Sequence, residues 1–158
     1  MEMRRGSLGF SGIKDFLYGV GGESFSGVLK EAEKYTISKN RWTGLPNLIY
    51  ERKWPGLCCF EELKFYYDVY CFCGYAKKRL KSIERYNGIN GKWTKFEKDE
   101  RTVGNFHLRA LQYKDDILVF GGQRYEGREL RTMYLFDSNG KIKSSLCGLT
   151  FIPVEQGA

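Results

Sequence analysis

Histidine and proline are scarce in this sequence, and long apolar runs are missing. Among 158 residues there are one histidine and three prolines. No apolar run approaches the ~18–20 residues that a membrane-spanning helix needs. The first residues, MEMRRGSLGF, contain a basic pair but lack the apolar segment of a signal peptide. We therefore expect no membrane partner and no secretory leader.

Cysteine is present in a pattern that suits neither disulfides nor metal. The cysteines are odd in number, and four of the five stand in one adjacent and one alternate pair. They are Cys58 and Cys59, Cys71 and Cys73, and the isolated Cys147. A secreted disulfide framework favours an even number at wider spacing. A zinc site needs four ligands, and His107 is the only histidine. We interpret the thiols as small apolar residues in strands, expect no metal and no cofactor, and predict a reducing, cytoplasmic location.

What the sequence does contain is glycine and basic charge. Nineteen glycines and a 42% hydrophobic content are typical of one globular domain, residues 1–158, built from many short strands and tight turns. The formal net charge of +7 is compatible with acidic partners. The densest basic run, residues 77–85, is broken by apolar and acidic residues, so we do not expect nucleic-acid binding.

A pattern of apolar runs that end in glycine repeats three times. The second glycines of these runs lie 52 and then 48 residues apart, so the repeating unit has about fifty residues. In two units a tyrosine and a tryptophan seven residues apart follow the glycines; in the third, spacing assigns Leu135 and Ile142 to these positions. The repeated residues are Gly21, Gly22, Tyr35 and Trp42; Cys73, Gly74, Tyr86 and Trp93; and Gly121 and Gly122.

Each unit is predicted to contain four antiparallel strands in chain order. Val69 to Phe72 are apolar on consecutive residues, so this strand is expected to be covered on both faces. Asn90-Gly91 between Tyr86 and Trp93 is a strong hairpin signal. The two aromatics should then face each other across the hairpin as a packing pair. The predicted fold class is all-β.

These residues carry a family resemblance. A glycine doublet after an apolar strand, followed by tyrosine and tryptophan seven apart, resembles the kelch motif, and GVGG with EKYTISKNRWTGLP is the closest copy. The second unit departs by placing Cys73 at the first glycine, and the third by lacking the tyrosine and tryptophan. The resemblance implies three four-stranded antiparallel blades of a kelch-type β-propeller, at about residues 7–45, 56–97 and 105–146, before a short tail, 147–158.

Three blades are too few to close a propeller, which usually has ~4–8. A terminal blade would leave apolar surface open to solvent. We therefore expect a partial propeller, completed either as part of a larger propeller or by oligomerisation, for example as a homodimer. A stable three-bladed monomer is the remaining alternative.

Kelch proteins commonly recognise other proteins, so the resemblance implies a protein–protein interaction module. Loops at one rim should bind the partner, and because they are basic and aromatic we expect an acidic or phosphorylated segment. The predicted partner-binding residues are Phe25, Arg52, Trp54, Tyr75, Lys78, Arg79, Arg124, Tyr125 and Arg128. The alternatives are a purely structural part of a larger propeller and, less favoured, a hydrolase that uses rim carboxylates. His107 falls in the predicted first strand of the third unit and is interpreted as an ordinary strand residue, so we expect no enzymatic activity.

Overall fold

The protein consists of antiparallel β-sheets. A computed structural model describes residues 1–63, 66–96, 105–123 and 132–147, and these contain no helix, which confirms the all-β prediction. The strands are β1 (Gly9–Ile13), β2 (Phe16–Val20), β3 (Glu23–Ser24), β4 (Gly27–Val28), β5 (Ala32–Thr36), β6 (Arg41–Leu45), β7 (Gly56–Leu63), β8 (Tyr66–Phe72), β9 (Ile83–Asn87), β10 (Lys92–Phe96), β11 (Arg109–Tyr113), β12 (Asp116–Phe120), β13 (Thr132–Asp137) and β14 (Ile142–Cys147).

Three sheets have four strands each, and a fourth has two. The first sheet has the order β1-β2-β5-β6, the second β7-β8-β9-β10 and the third β11-β12-β13-β14. Every neighbouring pair is antiparallel, as the sequence predicts for each unit. The two-stranded sheet, β3 and β4, is a small hairpin inside the β2–β5 connection, which the sequence had predicted as a plain polar loop.

The second sheet lies between the other two, and its strand β8 is buried on both faces. Val69, Tyr70, Cys71 and Phe72 are all inaccessible to solvent. Tyr70 and Phe72 belong to the apolar cluster shared with the third sheet, whereas Val69 and Cys71 belong to the one shared with the first. The prediction from consecutive apolar residues is therefore confirmed.

The aromatic pairs face each other as predicted. Tyr35 lies directly opposite Trp42 with ring centroids 5.2 Å apart, and Tyr86 lies opposite Trp93 at 5.4 Å. In the third sheet the prediction of Leu135 is wrong. Phe136, paired with Ile142, occupies the tyrosine position, because the chain between Gly122 and this position is one residue longer than in the first unit.

The same backbone hydrogen bonds join each sheet to the next. Gly22 N–H donates to Arg52 O (2.8 Å) and Trp54 N–H donates to Ser7 O (2.7 Å). One unit later, Gly74 N–H donates to Asn105 O (3.0 Å) and His107 N–H donates to Trp54 O (2.9 Å). Ser7, Trp54 and His107 all have left-handed φ, of 56°, 55° and 61°. The repetition in the sequence is thus a repetition of inter-sheet contacts.

The first strands of the three sheets surround one cavity. Strand β7 contacts both β1 and β11. The cavity, of about 330 Å³, is lined from β1 by Phe10 and Ser11, from β7 by Leu57 and from β11 by Arg109 and Ala110. The first strands of the three sheets therefore lie side by side, with β7 in the middle.

Candidate functional site

Two kinds of connection meet at one end of the sheets. In an antiparallel sheet successive turns alternate between the two ends. The connections that follow β2 and β8 therefore lie at the same end as residues 46–55, which join the first sheet to the second. We call this end the rim. It carries most of the residues that the sequence predicts to bind a partner.

A basic cleft opens at the rim. It comprises two adjoining pockets, of about 420 and 340 Å³, which share Tyr50, Lys78 and Leu80. The lining residues of this basic cleft are Lys30, Tyr50, Glu51, Ala76, Lys77, Lys78, Arg79, Leu80, Lys81, Ser82 and Lys95. Six of them are cations and one is an acid, so the cleft has a strong positive potential.

Among the described residues, no carboxylate forms an ion pair with a cation of the basic cleft. Within the described ranges, none of these six side chains forms an ion pair, whereas Lys14, Lys53 and Lys143 each bind a carboxylate. Lys95 Nζ lies 5.4 Å from the centroid of the Tyr50 ring, a cation–π contact that leaves its charge in place. The cleft therefore presents positive charge that an anionic ligand could neutralise.

The base of the cleft is fixed by a buried ion pair. The Arg52 guanidinium binds the Glu84 carboxylate, and both side chains are completely buried. Glu84 accepts hydrogen bonds from the backbone N–H groups of Ile49 (2.7 Å) and Tyr50 (3.1 Å). Arg52 donates to the carbonyl and the hydroxyl of Ser82, both at 3.1 Å. The pair thus positions Tyr50 and Ser82, two residues that line the cleft.

The prediction that Arg52 contacts a partner is wrong. Its side chain has 0% exposure and its guanidinium is used inside the protein, with Cys73 O (2.8 Å) as a further acceptor. Arg5 makes the same arrangement in the first sheet, with Glu33 (2.6 Å) and the carbonyls of Gly21 and Glu31. Burial of Arg52 was not apparent from its neighbours Glu51 and Lys53, but an arginine four residues before the first strand of two units was a usable signal.

A second rim feature is an aromatic cluster of Trp54, Tyr75, Phe106 and His107. Trp54 stacks on His107 at 4.8 Å and contacts Phe106 at 5.7 Å and Tyr75 at 6.2 Å. Lys53 Nζ lies 4.4 Å from the Trp54 ring and binds Glu23. Desolvation, and secondarily the charge of Arg109, lower the pKa of His107. The first inter-sheet connection contributes Trp54 to this cluster, the β8–β9 connection contributes Tyr75, and the residues just before β11 contribute Phe106 and His107.

The structure divides the predicted partner-binding residues among several places. Lys78 and Arg79 line the basic cleft, and Trp54 and Tyr75 belong to the aromatic cluster. Phe25 is fully exposed at the tip of the β3–β4 hairpin. Arg124, Tyr125 and Arg128 lie outside the described residues. Tyr50 and Lys95 also line the cleft, and no pattern in the sequence predicts this. An inter-sheet connection brings Tyr50 there and the outer strand β10 brings Lys95.

No family model and no curated protein matches this chain. In the described part, no helix is long and apolar enough to cross a membrane, and no group of three or more side chains could hold a metal ion. Burial raises the pKa of Cys58, Cys59 and Cys71 to about 12. These thiols are therefore protonated at neutral pH, and the chemistry of the rim rests on cations and aromatic rings.

Proposed function

We propose that this protein is a protein-interaction module that binds an acidic or phosphorylated segment in the basic cleft. The observation that carries the proposal is the group of six cations around Tyr50 that form no ion pair among the described residues. Carboxylates and phosphates make charge-assisted hydrogen bonds with such groups, and the planar Arg79 guanidinium suits bidentate contact. The anion replaces solvent rather than an internal carboxylate, so no existing ion pair has to be broken.

Preorganisation supports the same proposal. Tyr50 donates its backbone N–H to Glu84, and Ser82 accepts a hydrogen bond from Arg52 at its hydroxyl. A cleft whose base is already ordered loses less conformational entropy on binding. Tyr50 offers an aromatic surface at the centre of the cations, and tyrosine and arginine are common interface anchors. A short acidic segment with one apolar or aromatic residue fits this combination.

We also propose that the three sheets are blades of a kelch-type β-propeller, of which this chain forms a part. The support is the cavity lined by the first strands of all three sheets, the repeated inter-sheet hydrogen bonds and the aromatic pairs at equivalent positions. In that arrangement the rim is the end at which loops of successive blades converge, where propellers and other rigid scaffolds carry binding residues. Four buried free cysteines support a reducing, cytoplasmic location.

The proposal is tested with defined peptides and a charge-matched control. Binding of fluorescent peptides rich in glutamate or phosphoserine is measured by anisotropy and compared with a glutamine peptide. We expect the variant Lys78→Ala/Arg79→Ala/Lys81→Ala to bind the acidic peptides at least about tenfold more weakly, a loss of about 1.4 kcal/mol. The control variant Lys39→Ala/Arg41→Ala/Lys92→Ala loses the same charge at exposed positions of the opposite end.

The control decides between a site and a general charge effect. If both triple variants weaken binding equally, the net charge of the protein and not the cleft is responsible. If an oligonucleotide of equal charge binds more tightly than the peptides, with a steeper salt dependence, the ligand class is nucleic acid. Either result would overturn the proposal of an acidic protein segment.

A structural role is the second candidate, and a specific observation favours it. The first and third sheets each have a face that no other described sheet covers, with Phe10, Leu111 and Tyr113 exposed. A three-sheet unit that completes a larger assembly would have uncovered apolar faces of this kind before it assembles. In that case both triple variants should behave as the wild type in every binding assay.

A further inference from the structure

The two outer faces of the three-sheet stack are rich in apolar residues. Register places Phe10, Leu17, Tyr35 and Trp42 on one face of the first sheet, opposite the face that packs on the second sheet. Phe10 is 54% exposed. The outer face of the third sheet carries these apolar residues: Leu111, Tyr113, Leu118, Phe120, Met133 and Leu135. Leu111 is 42% exposed. In the described part of the chain, neither face is covered by another sheet.

The two faces are complementary because they correspond to the two sides of the internal interfaces. Between the second and third sheets, Phe136 packs on Phe72 with ring centroids 5.2 Å apart. Between the first and second sheets, Trp93 packs in the cluster that contains Tyr18 and Val20. In each case the aromatic-pair position of the later sheet packs against the second strand of the earlier one.

One partner surface of each type remains uncovered by a described sheet at the ends of the stack: an aromatic-pair surface at one end and a second-strand surface at the other. Tyr35 and Trp42 form the aromatic pair of the first sheet, on its outer face. By register, Leu118 and Phe120 stand where Tyr70 and Phe72 stand in the second sheet, also on an outer face. The first sheet thus presents an aromatic-pair surface, and the third sheet presents a second-strand surface. Surfaces of these two types pack on each other at the internal interfaces.

The backbone groups that join successive sheets are also available at both ends. Each internal interface has two such hydrogen bonds, one donated by a glycine and one by a residue with left-handed φ. Between the second and third sheets, Gly74 N–H donates to Asn105 O and His107 N–H donates to Trp54 O. The equivalents at the ends are Gly122 N–H and His107 O on the third sheet, and Arg5 O and Ser7 N–H on the first. These four groups form no backbone hydrogen bond to any described residue. A methyl group added at Gly121 would meet nothing within 4 Å, whereas one at Gly21 would lie 2.4 Å from Arg52 O.

We infer that these faces bind a second copy of the chain, head to tail. The first sheet of one copy packs on the third sheet of the other, with the contacts that already join the sheets within one chain. Two copies that each use both faces form this contact twice and close a ring of six sheets, a number within the ~4–8 blades of known propellers. This inference concerns assembly and stands or falls separately from what the basic cleft binds.

The mass of the protein in solution tests the inference. Light scattering after gel filtration, over a range of concentrations, is expected to give twice the chain mass of 18.4 kDa. Phe10→Lys and Leu111→Glu, on opposite faces, should each shift the protein to the monomer. Ile89→Lys is the matched control, because Ile89 is 61% exposed at a turn and lies on neither face. Circular dichroism establishes that each variant is folded.

Mixing the two face variants separates head-to-tail contact from other dimers. A mixture of Phe10→Lys and Leu111→Glu proteins can form pairs in which one interface is unmodified and the other combines both substitutions with opposite charge. We expect dimer to reappear in the mixture although each variant alone is monomeric. Wild-type protein that stays monomeric, mass that grows with concentration beyond the dimer, or a dimer that survives Leu111→Glu would each overturn the inference.

Discussion

Arg52 and Glu84 form an ion pair with no solvent exposure at the base of the basic cleft. The pair comes from two different segments, a connection between sheets and strand β9, and it binds the backbone of both walls of the cleft. A buried charge that loses its partner is costly, because neither water nor another ion can replace it. The pair therefore links the stability of the second sheet to the shape of the site.

Removing Arg52 is expected to destabilise the protein strongly. Arg52→Ala leaves the Glu84 carboxylate buried without its cation, which costs about 3–5 kcal/mol. The free energy of unfolding from urea titration measures the loss. The pair of Lys143 and Asp116, in which the lysine side chain is 52% exposed, provides the control, since Lys143→Ala should change the urea midpoint little. Equal effects of the two substitutions would contradict an important internal role of Arg52.

Gly22 is predicted to tolerate no side chain, whereas Gly27 should tolerate one better. Both have positive φ, 103° and 119°, so alanine is strained at either site by about 1–3 kcal/mol. At Gly22 a methyl group would also lie 2.5 Å from Gly6 O, but at Gly27 it would meet nothing within 4 Å. We expect Gly22→Ala to cost about 1–3 kcal/mol more than Gly27→Ala. Thermal unfolding of the two variants gives the difference, and an equal loss would argue against close packing of Gly22 on Gly6 within the first unit.

The buried thiols are expected to be unreactive in the folded protein. Desolvation raises the pKa of Cys58, Cys59 and Cys71 to about 12, and it also raises the pKa of Cys73. Since the thiolate is the nucleophile, a thiol reagent should modify these groups only after unfolding. The variant Cys147→Ser leaves four thiols for the assay. Rapid native modification at neutral pH would show that the clusters between the sheets open readily.

His107 should make the protein slightly less stable in mild acid, a small effect because its side chain is exposed and solvent screens it. Its pKa is lowered in the folded state from the ordinary value of 6.5, mainly by desolvation. At pH values between the lowered and the ordinary pKa, the unfolded chain binds more protons at His107 than the folded protein does. The free energy of unfolding therefore decreases as pH falls below about 6.5. The single histidine makes the test clean: NMR should give a pKa below 6.5. His107→Asn suits the left-handed φ and should reduce the change in melting temperature between about pH 7.5 and pH 5.5. An unaltered change would exclude His107 as its origin.

The sequence predicted those parts of the fold that depend on local pattern. Consecutive apolar residues in β8 correctly indicated a strand covered on both faces, and the spacing of Tyr86 and Trp93 correctly indicated a cross-strand pair. Spacing alone placed the third-unit position at Leu135, one residue before Phe136, because a connection of different length shifts the count without changing the sheet. The pairing register of a strand depends on its neighbouring strand, so spacing in the sequence alone does not predict it.

The site was less predictable, because it depends on contacts between distant segments. Lys78 and Arg79 were recognised, since both lie in one basic loop. Tyr50 and Lys95 were not, as they enter the cleft from a separate connection and from an outer strand. Arg52 looked like another surface cation, and only its partner Glu84, 32 residues away, shows that it belongs to the interior.

The recurrence of one backbone contact between sheets, Trp54 N–H to Ser7 O and His107 N–H to Trp54 O, has an evolutionary consequence. A joint made chiefly of main-chain groups does not require a new set of complementary side chains each time it is used. Tandem duplication of a gene segment encoding one sheet would therefore generate a compatible neighbour at once. Side chains such as Asn105 and Tyr134, which replace the arginine and glutamate of the earlier copies, are then free to diverge while the joint persists.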